Sequence, residues 1–310
     1  MSATSYANTA YMAATPRLSV LTPFYRYDPC ALIERLAAET STLNGAVELV
    51  LLDDGGGDLV LSAIVTSLLD RLSLPARLVT LSANEGRSRG RNRLVADARA
   101  DYVLFLDCDM APDGADFLAR WLDLITADAP AAAFGGFSLE QITPKPEHRL
   151  HYALQQRGEC VGADVRRMTP EKYIYTSNLL VRRDVLAAEP FDEGFTGWGW
   201  EDVEWGMRVA ARFGVTHIDN TATHLGLDTA GALLGKYEQS AGNFARVLAR
   251  HPGVVRGYPS YRVSRLLKAV PGRRVWRGWL KALATSDAPL ASRIAAAKLY
   301  RAAIYAEADG

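Results

Sequence analysis

The sequence has 310 residues, of which 49% are hydrophobic, enough for a sizeable buried core. Lys and Arg number 35, as do Asp and Glu, and this zero net charge argues against a general nucleic-acid-binding protein. No apolar run reaches the roughly 18 to 20 residues of a membrane span. The polar start MSATSYANTAYMAATPRLSV does not resemble a secretory signal. With three scattered cysteines (Cys30, Cys108, Cys160), these features predict a cytoplasmic protein.

The first hundred residues alternate apolar strands with helices. Strands are predicted at LSVLTPF (Leu18 to Phe24), VELVLLD (Val47 to Asp53), RLVTL and YVLFLD (Tyr102 to Asp107). Helices are predicted after Asp28-Pro29, along Leu59, Ile64, Leu68 and Leu72, and near Arg87 to Arg99. Strands that are apolar throughout and alternate with helices indicate a mostly parallel sheet covered on both faces.

The later elements are less regular. AAAFGGFS, YIYTSNLLV and VTHID predict strands, EDVEWGMRVAARF predicts a helix ended by Gly214, and Asp228 to Arg250 predicts one long helix. The composition changes near Gly257, because no Asp or Glu occurs between Glu238 and Asp287. We therefore predict a catalytic domain over residues 1-256 and a basic helical appendage over residues 257-310.

The appendage contains the stretch SRLLKAVPGRRVWRGWLKAL, which mixes Arg and Lys with Leu, Val and Trp. Such a mixture is typical of a segment that lies on an anionic membrane surface, here divided by Pro271-Gly272. A basic helical appendage packed on the catalytic domain explains the same composition equally well.

Polar residues gather where the predicted strands end, and ligands of open parallel sheets bind at those carboxyl ends. In FLDCDM, Asp107 and Asp109 are two residues apart and point to the same side of an extended chain. Two adjacent carboxylates repel unless a cation or a proton lies between them. Mg²⁺ or Mn²⁺ would remove this repulsion and could also hold a diphosphate. The alternative is that the acids only end a strand and cap the next segment.

A cluster of arginines precedes this acidic strand end. GRSRGRNR contains Arg87, Arg89, Arg91 and Arg93, and guanidinium groups bind phosphate through charge-assisted hydrogen bonds. For Arg91 we favour a role in binding the phosphate of a ligand at this strand end. For Arg89 and Arg93 a solvated basic helix face is the preferred interpretation.

The segment GWGWEDVEW combines aromatic rings, glycines and adjacent acids. An indole can stack on the apolar face of a sugar, and glycine lets a ring-sized ligand approach the backbone. Trp198, Gly199 and Trp200 are therefore candidate acceptor-binding residues, followed by Glu201 and Asp202 at a predicted helix start. The alternative is a capped helix beside a hydrophobic cluster of tryptophans.

Five motifs in order carry a family resemblance: SVLTPFYR, VELVLLDDGGGD, NEGRSRGRN, YVLFLDCDM and GWGWEDVEW. Together they resemble the nucleotide-sugar glycosyltransferases of the GT-A fold, and most of all glycosyltransferase family 2. The last motif is also similar to the C-terminal motif of the galactosyltransferase and chondroitin-polymerase type. The resemblance covers about Leu18 to Leu227 and implies a Rossmann-like, mostly parallel central sheet flanked by helices.

The resemblance also implies roles for individual residues. The nucleotide-sugar-binding residues it implies are Thr22, Pro23, Tyr25, Asp53, Asp54, Asn84, Gly86, Arg91, Asp107 and Cys108. Asp109 and His224 match the metal ligands of metal-dependent relatives, and Asn92 lies in the same family segment as Arg91. Asp202 matches the catalytic base, and Glu201 the residue that hydrogen-bonds the acceptor.

The resemblance implies a metal-dependent, inverting enzyme that uses Mn²⁺ or Mg²⁺. It would move a sugar from a UDP-sugar to a hydroxyl of a saccharide or glycoconjugate. A sugar-phosphate nucleotidyltransferase is the first alternative, but LTPFYRYDP replaces its Gly-rich phosphate loop. A non-catalytic carbohydrate-binding protein is the second, although both acidic pairs are intact. A retaining mechanism also remains open, since a fold does not determine stereochemistry.

Overall fold

The computed structural model describes residues 2–308, apart from the side chains of Arg273 and Arg274. Those two side chains belong to the predicted membrane-surface segment and lie outside the described part. The chain divides into two compact units. The sheet unit comprises Met1–Ile142, Cys160–Gly194 and Trp205–Gly226. The helical unit comprises Thr143–Glu159, Phe195–Glu204 and Leu227–Gly310.

The strands of the described chain all belong to the sheet unit. They are β1 (Ala3–Ala7), β2 (Leu18–Phe24), β3 (Val47–Asp53), β4 (Ala76–Leu81), β5 (Tyr102–Leu106), β6 (Met110–Pro112), β7 (Ala132–Phe134), β8 (Phe137–Ser138), β9 (Asn178–Arg182), β10 (Thr216–His217) and β11 (Ala222–His224).

The helices follow in chain order. They are α1 (Thr9–Ala13), α2 (Cys30–Thr40), α3 (Leu59–Asp70), α4 (Arg87–Asp97), α5 (Phe117–Asp128), α6 (Arg149–Gly158), α7 (Ala163–Arg166), α8 (Arg183–Ala188), α9 (Glu201–Arg212), α10 (Ala230–Gln239), α11 (Ala241–Arg250), α12 (Pro252–Val255), α13 (Pro259–Lys268), α14 (Arg273–Thr285) and α15 (Leu290–Ala308). Single 3-10 turns lie at Pro146–His148 and Pro170–Lys172.

The main sheet has the strand order β1-β4-β3-β2-β5-β9-β7-β10. Strands β2, β3, β4 and β5 pair in parallel, whereas β1 and β9 are antiparallel to their neighbours. The predicted fold class, a mostly parallel sheet with flanking helices and C-terminal helices, is thus confirmed. A second, small sheet of order β6-β11-β8 pairs His224 with Met110. This pairing brings the end of β11 beside the acidic end of β5.

The central strands are mostly apolar because both faces of the sheet are covered. Val20 of β2 and Leu49 of β3 belong to the hydrophobic core on one face. Leu21 and Val50, the next residues of the same strands, belong to the core on the other face. Successive side chains of a strand point to opposite faces, so both faces require apolar residues. The buried polar pair at the start of these strands is satisfied internally, because Ser19 Oγ donates to Glu48 Oε1 (2.6 Å).

The helical unit has α15 at its centre, with α10, α11, α13 and α14 packed against it. The predicted helix from Asp228 to Arg250 is instead α10 and α11, which meet at Ser240. There the hydroxyl group donates to the Tyr237 carbonyl oxygen (2.8 Å), competing with the helical backbone bond. Because α10 to α12 belong to this unit, the compact units differ from the predicted domains. The division into a catalytic domain over residues 1-256 and a basic helical appendage over residues 257-310 stays a prediction.

Three local predictions differ from the structure. The buried face of α3 consists of Val65, Leu68 and Leu69, whereas Leu59 and Ile64 are exposed. Helix α3 is apolar on most of its surface, so periodicity did not identify the packed side. AAAFGGFS forms two strands, β7 and β8, separated by its glycines, and YIYTSNLLV is a strand only from Asn178 onward.

Candidate active site

The ends of β2 and β3 lie side by side, with Phe24 opposite Asp53 in the strand register. Thr22 and Asp53 are buried there. Asp53 Oδ1 accepts a hydrogen bond from the Gly56 backbone N–H (2.9 Å), and its Oδ2 accepts one from Ser62 Oγ (3.3 Å). Pro23 follows Thr22 on β2 and has no backbone N–H to donate. The sheet therefore brings the predicted nucleoside-binding residues Thr22, Pro23 and Asp53 together.

Asp54 joins the end of β3 to the segment that starts α4. Its carboxylate accepts hydrogen bonds from Asn84 Nδ2 (2.9 Å), the Glu85 N–H (2.7 Å) and the Gly86 N–H (3.1 Å). Burial raises the pKa of Asp54, although the two backbone donors oppose that rise. Gly86 has φ 83°, a left-handed conformation that favours glycine. Three of the predicted donor-site residues thus form one internal clamp.

Arg91 projects from α4 and is buried. Its Nη2 donates to Asp107 Oδ1 (3.3 Å), directly after β5. This ion pair fixes the first carboxylate of the D-x-D motif. By contrast, Arg89 pairs with Glu193 and Arg93 with Glu85. Arg91 thus contacts the acidic strand end, and its role in donor binding stays a prediction.

Asp109 and His224 approach each other across β6 and β11. Their closest atoms, Asp109 Oδ2 and His224 Nε2, are 3.2 Å apart, and both side chains are partly exposed. Burial would raise the pKa of Asp109, but the hydrogen bond and charge of His224 outweigh it and lower that pKa. Cys108 lies between the two acids, and burial raises the pKa of its thiol.

This donor set fits a divalent cation. A carboxylate oxygen and an imidazole nitrogen both ligate Mn²⁺, and Mg²⁺ or Mn²⁺ sites commonly use one or two protein ligands with substrate phosphates. No group of three or more His, Cys, Asp or Glu side chains able to hold a metal occurs among residues 2–308. Asp109 and His224 would accordingly hold such an ion together with diphosphate oxygens.

Two neighbours of Asp109, Tyr27 and Gly226, were not indicated by any sequence pattern, whereas Arg87 belongs to the arginine cluster noted in the sequence. The positive charge of Arg87 lowers the pKa of Asp109, whereas the negative charge of Asp109 contributes to a raised pKa of Tyr27, whose main cause is burial. A Cβ atom at Gly226 would lie 2.0 Å from Asp109 Oδ2, so any other residue there would force the Asp109 carboxylate to move. Gly226 lies two residues after His224, but no spacing rule predicts that a glycine is required at that position.

Tyr25 ends the β2 strand region with an exposed ring, and the guanidinium carbon of Arg26 lies 5.1 Å from its centre. An exposed aromatic face at this edge of the sheet can stack on a nucleobase. Asn92, which the resemblance groups with Arg91, has a different task. It donates to the Phe191 carbonyl oxygen (2.9 Å) and accepts from the Phe191 N–H (3.0 Å), which fixes the segment after α8.

The segment before α9 has an unusual backbone. Gly197, Gly199 and Trp200 have φ angles of 71°, 90° and 75°, in the left-handed region. Asn243 Nδ2 of α11 donates to the Thr196 and Gly199 carbonyl oxygens (3.0 and 2.8 Å) and so holds this turn in place. The left-handed backbone conformation alone favours glycine at positions 197 and 199, whether or not a ligand approaches this segment.

The two tryptophans of this segment have different surroundings. Trp200 Nε1 donates to Tyr305 Oη (3.0 Å), and its ring packs on Phe244, 5.3 Å between centroids. This arrangement corresponds to the hydrophobic-cluster alternative, so acceptor contact by Trp200 stays a prediction. Trp198 is partly exposed, as Trp200 is, and its ring is tilted against Tyr237 with 6.4 Å between centroids. Acceptor contact by Trp198 and Gly199 likewise stays a prediction.

Glu201 and Asp202 form the first turn of α9, as predicted. Carboxylates are stabilised there by the helix dipole. Glu201 is buried, and Asp202 is partly exposed, with its Oδ1 accepting from the Val203 N–H (2.8 Å). Of the two acids, Asp202 is therefore the one accessible to a substrate hydroxyl.

The sheet and the acidic strand ends place the protein in the class of α/β proteins with the GT-A fold. The chain belongs to glycosyl transferase family 2, whose profile matches residues 19–188, and this membership makes it a nucleotide-sugar glycosyltransferase. The matched range ends before GWGWEDVEW, so the galactosyltransferase and chondroitin-polymerase character of that motif is not confirmed. No curated protein sequence matches the chain.

Solved structures of similar fold include the following three. The mannosyltransferase PcManGT from Pyrobaculum calidifontis, in complex with GDP-Man and Mn²⁺, is 16% identical, with coverage of 94% of this chain and 87% of that one and a TM-score of 0.59. TarS 1-349 from S. aureus with UDP-GlcNAc is 16% identical, with coverage of 94% and 90% and a TM-score of 0.51. Glucosyl-3-phosphoglycerate synthase from Mycobacterium tuberculosis, with Mn²⁺, UDP-Glc and phosphoglyceric acid, is 20% identical, with coverage of 78% and 81% and a TM-score of 0.51. At these identities the similarity establishes the fold.

Proposed function

We propose that the protein is a metal-dependent, inverting hexosyltransferase that moves a sugar from a UDP-sugar to a hydroxyl of a saccharide or glycoconjugate. The observation that carries this proposal is the approach of Asp109 Oδ2 to His224 Nε2, which are 3.2 Å apart. Asp109 lies just after β5, two residues from Asp107, which is paired with Arg91. Carboxylate, imidazole and guanidinium groups at one strand end suit a cation and a diphosphate.

The donor residues have separate tasks in this proposal. Thr22, Asp53 and the exposed ring of Tyr25 receive the nucleoside, while Arg91 orients Asp107 toward the ribose. Asp109 and His224 hold Mn²⁺ or Mg²⁺, which when bound neutralises charge on the diphosphate. Two of the similar structures contain Mn²⁺ with a nucleotide-sugar, which supports this cofactor.

Asp202 is the proposed general base. Its carboxylate takes the proton of the acceptor hydroxyl as the acceptor oxygen attacks the anomeric carbon and the bond to the diphosphate breaks. Glu201 orients the acceptor, and Trp198 stacks on its apolar face, with Gly199 and Trp200 completing the acceptor-binding segment. Positioned proton transfer of this kind contributes typically ~10² to 10⁴ in rate.

The test is sugar transfer from a panel of UDP- and GDP-sugars, measured with Mn²⁺ and with excess chelator. Asp202→Asn keeps the shape of the side chain and removes the base, so turnover should fall about 10² to 10⁴-fold while donor affinity changes little. Trp198→Ala is the matched acceptor variant and should raise the acceptor KM. Full activity in chelator would contradict the metal, and parental turnover by Asp202→Asn would contradict the base.

A further inference from the structure

The outer side of α14 exposes large apolar residues. The exposed fractions are 69% for Val275, 74% for Trp279 and 39% for Leu283. Residues four apart lie on the same face of a helix, so these side chains form one apolar stripe. Ala284 is fully buried on the side where α14 packs against α15. The helix therefore has one packed face and one apolar face in solvent.

The stripe lies in the most basic part of the chain, where no Asp or Glu occurs between Glu238 and Asp287. The basic residues of α13 and α14 are Arg262, Arg265, Lys268, Arg273, Arg274, Arg277 and Lys281. Two acids from outside these helices pair with this region: Glu307 with Arg277 (2.6 Å) and Glu238 with Lys281 (3.1 Å). The sequences of α13 and α14 themselves contain seven basic residues and no acidic residue.

Helix α13 adds one more exposed apolar side chain to this basic part of the chain. Leu266 has an exposed fraction of 73% and lies between Arg265 and Lys268 in sequence. Exposed Trp, Leu and Val interleaved with Arg and Lys on short helices are typical of segments that lie in a membrane interface. An ordinary solvated surface helix carries polar residues at such positions.

We propose that α13 and α14 bind the surface of an anionic membrane. Val275, Trp279 and Leu283 enter the boundary between headgroups and acyl chains, and the neighbouring Arg and Lys side chains meet the anionic headgroups. Within residues 2–308, no helix is long and apolar enough to cross a bilayer. The contact is accordingly peripheral. It is independent of the proposed catalytic roles, because none of these residues belongs to the candidate active site.

The test is co-sedimentation of the full chain with phosphatidylcholine vesicles that contain or lack phosphatidylglycerol. Binding should require phosphatidylglycerol and weaken as salt rises. Trp279→Ser should reduce partitioning about tenfold or more, and Arg262→Gln about fivefold. The matched control is Leu59→Ser on α3, which removes a highly exposed apolar side chain (84% exposed) away from the basic region.

A second readout reports the depth of Trp279. Lipids brominated in their acyl chains should quench part of the tryptophan fluorescence, and Trp279→Phe should bind the vesicles but lose that part. Absence of salt-sensitive binding would overturn the proposal. So would equal weakening by Leu59→Ser and Trp279→Ser. A concentration-dependent dimer that Trp279→Ser abolishes, without vesicle binding, would instead identify the stripe as a protein–protein surface.

Discussion

Asp109 is the residue on which the candidate metal site depends, and its surroundings are built by the backbone that follows β11. Leu225 N–H donates to the Asp109 carbonyl oxygen (2.8 Å), and His224 meets its carboxylate. The Cα of Gly226 faces the same carboxylate so closely that any side chain there would displace it. Three consecutive residues thus determine where the Asp109 oxygens point.

Gly226→Ala is therefore expected to impair the candidate metal site although neither of its proposed ligands is replaced. The added Cβ would lie 2.0 Å from Asp109 Oδ2, so the carboxylate must rotate away from His224. Misplaced positioning groups cost roughly 10 to 100-fold in metal affinity. Titration calorimetry of the Mn²⁺-dependent binding of a nucleoside diphosphate measures this loss.

Gly231→Ala is the matched control, because a Cβ at that helical position meets nothing within 4 Å. It should bind the nucleoside diphosphate like the parent. If Gly226→Ala also binds with parental affinity, the Asp109 carboxylate is not held by this contact.

Strand β10 is attached to the neighbouring segment through a buried histidine. His217 Nε2 lies 3.1 Å from the Pro170 carbonyl oxygen, and Arg166 Nε donates to His217 Nδ1 (3.4 Å). Burial lowers the pKa of His217 to about 4, aided by the charges of Arg166 and Arg167 and opposed by the Pro170 hydrogen bond. The neutral imidazole is therefore part of the folded state.

This lowered pKa predicts a pH dependence of stability. The unfolded imidazole, with a pKa near 6.5, takes up a proton that folded His217 refuses, so its contribution is complete above pH 6.5 and is lost as the pH falls toward about 4. The loss amounts to about 3 kcal/mol at most. Urea unfolding of parent and His217→Gln, which keeps a donor and an acceptor, should show a gap that narrows between pH 7 and pH 5. A gap independent of pH would contradict this role.

At the level of elements, the strands with two buried faces were predictable and those defined by distant partners were not. The bounds of β2 and β3 match their apolar runs because continuous burial leaves a continuous pattern. The insertion of antiparallel β9 between β5 and β7 depends on long-range pairing that no local pattern reports. Strand β1 is almost wholly exposed, so it carries no apolar pattern at all.

The same distinction applies to the candidate site. Asp107 and Asp109 could be singled out because two adjacent acids at a strand end repel each other, Arg91 because it belongs to an arginine cluster, and His224 only through the family resemblance; their roles stay predictions. The clamp around Asp54 and the hydrogen bonds of Asn243 to the turn before α9 could not be singled out, since they join residues far apart in sequence. The packing of Trp200 was left open by its pattern, because tryptophan suits both a core and a sugar site.

For the whole molecule, the first four family motifs lie in the sheet unit, whereas GWGWEDVEW lies almost wholly in the helical unit, which is assembled from three separate segments of the chain. The composition of the sequence changes only within the last of these segments, Leu227–Gly310. The boundary predicted at Gly257 therefore falls inside the helical unit. The glycosyltransferase family and the fold follow from the motifs, and the metal and the base are the claims that require measurement.

The central claim is that Asp109 and His224 bind the donor through a divalent cation, separately from the base. Calorimetric titration of UDP with and without Mn²⁺ tests it in the parent, Asp109→Ala and Asp202→Asn. The account predicts Mn²⁺-dependent binding by the parent and by Asp202→Asn, and its loss in Asp109→Ala while the thermal unfolding transition is retained. UDP binding by Asp109→Ala with the same affinity and the same Mn²⁺ dependence as the parent would contradict it.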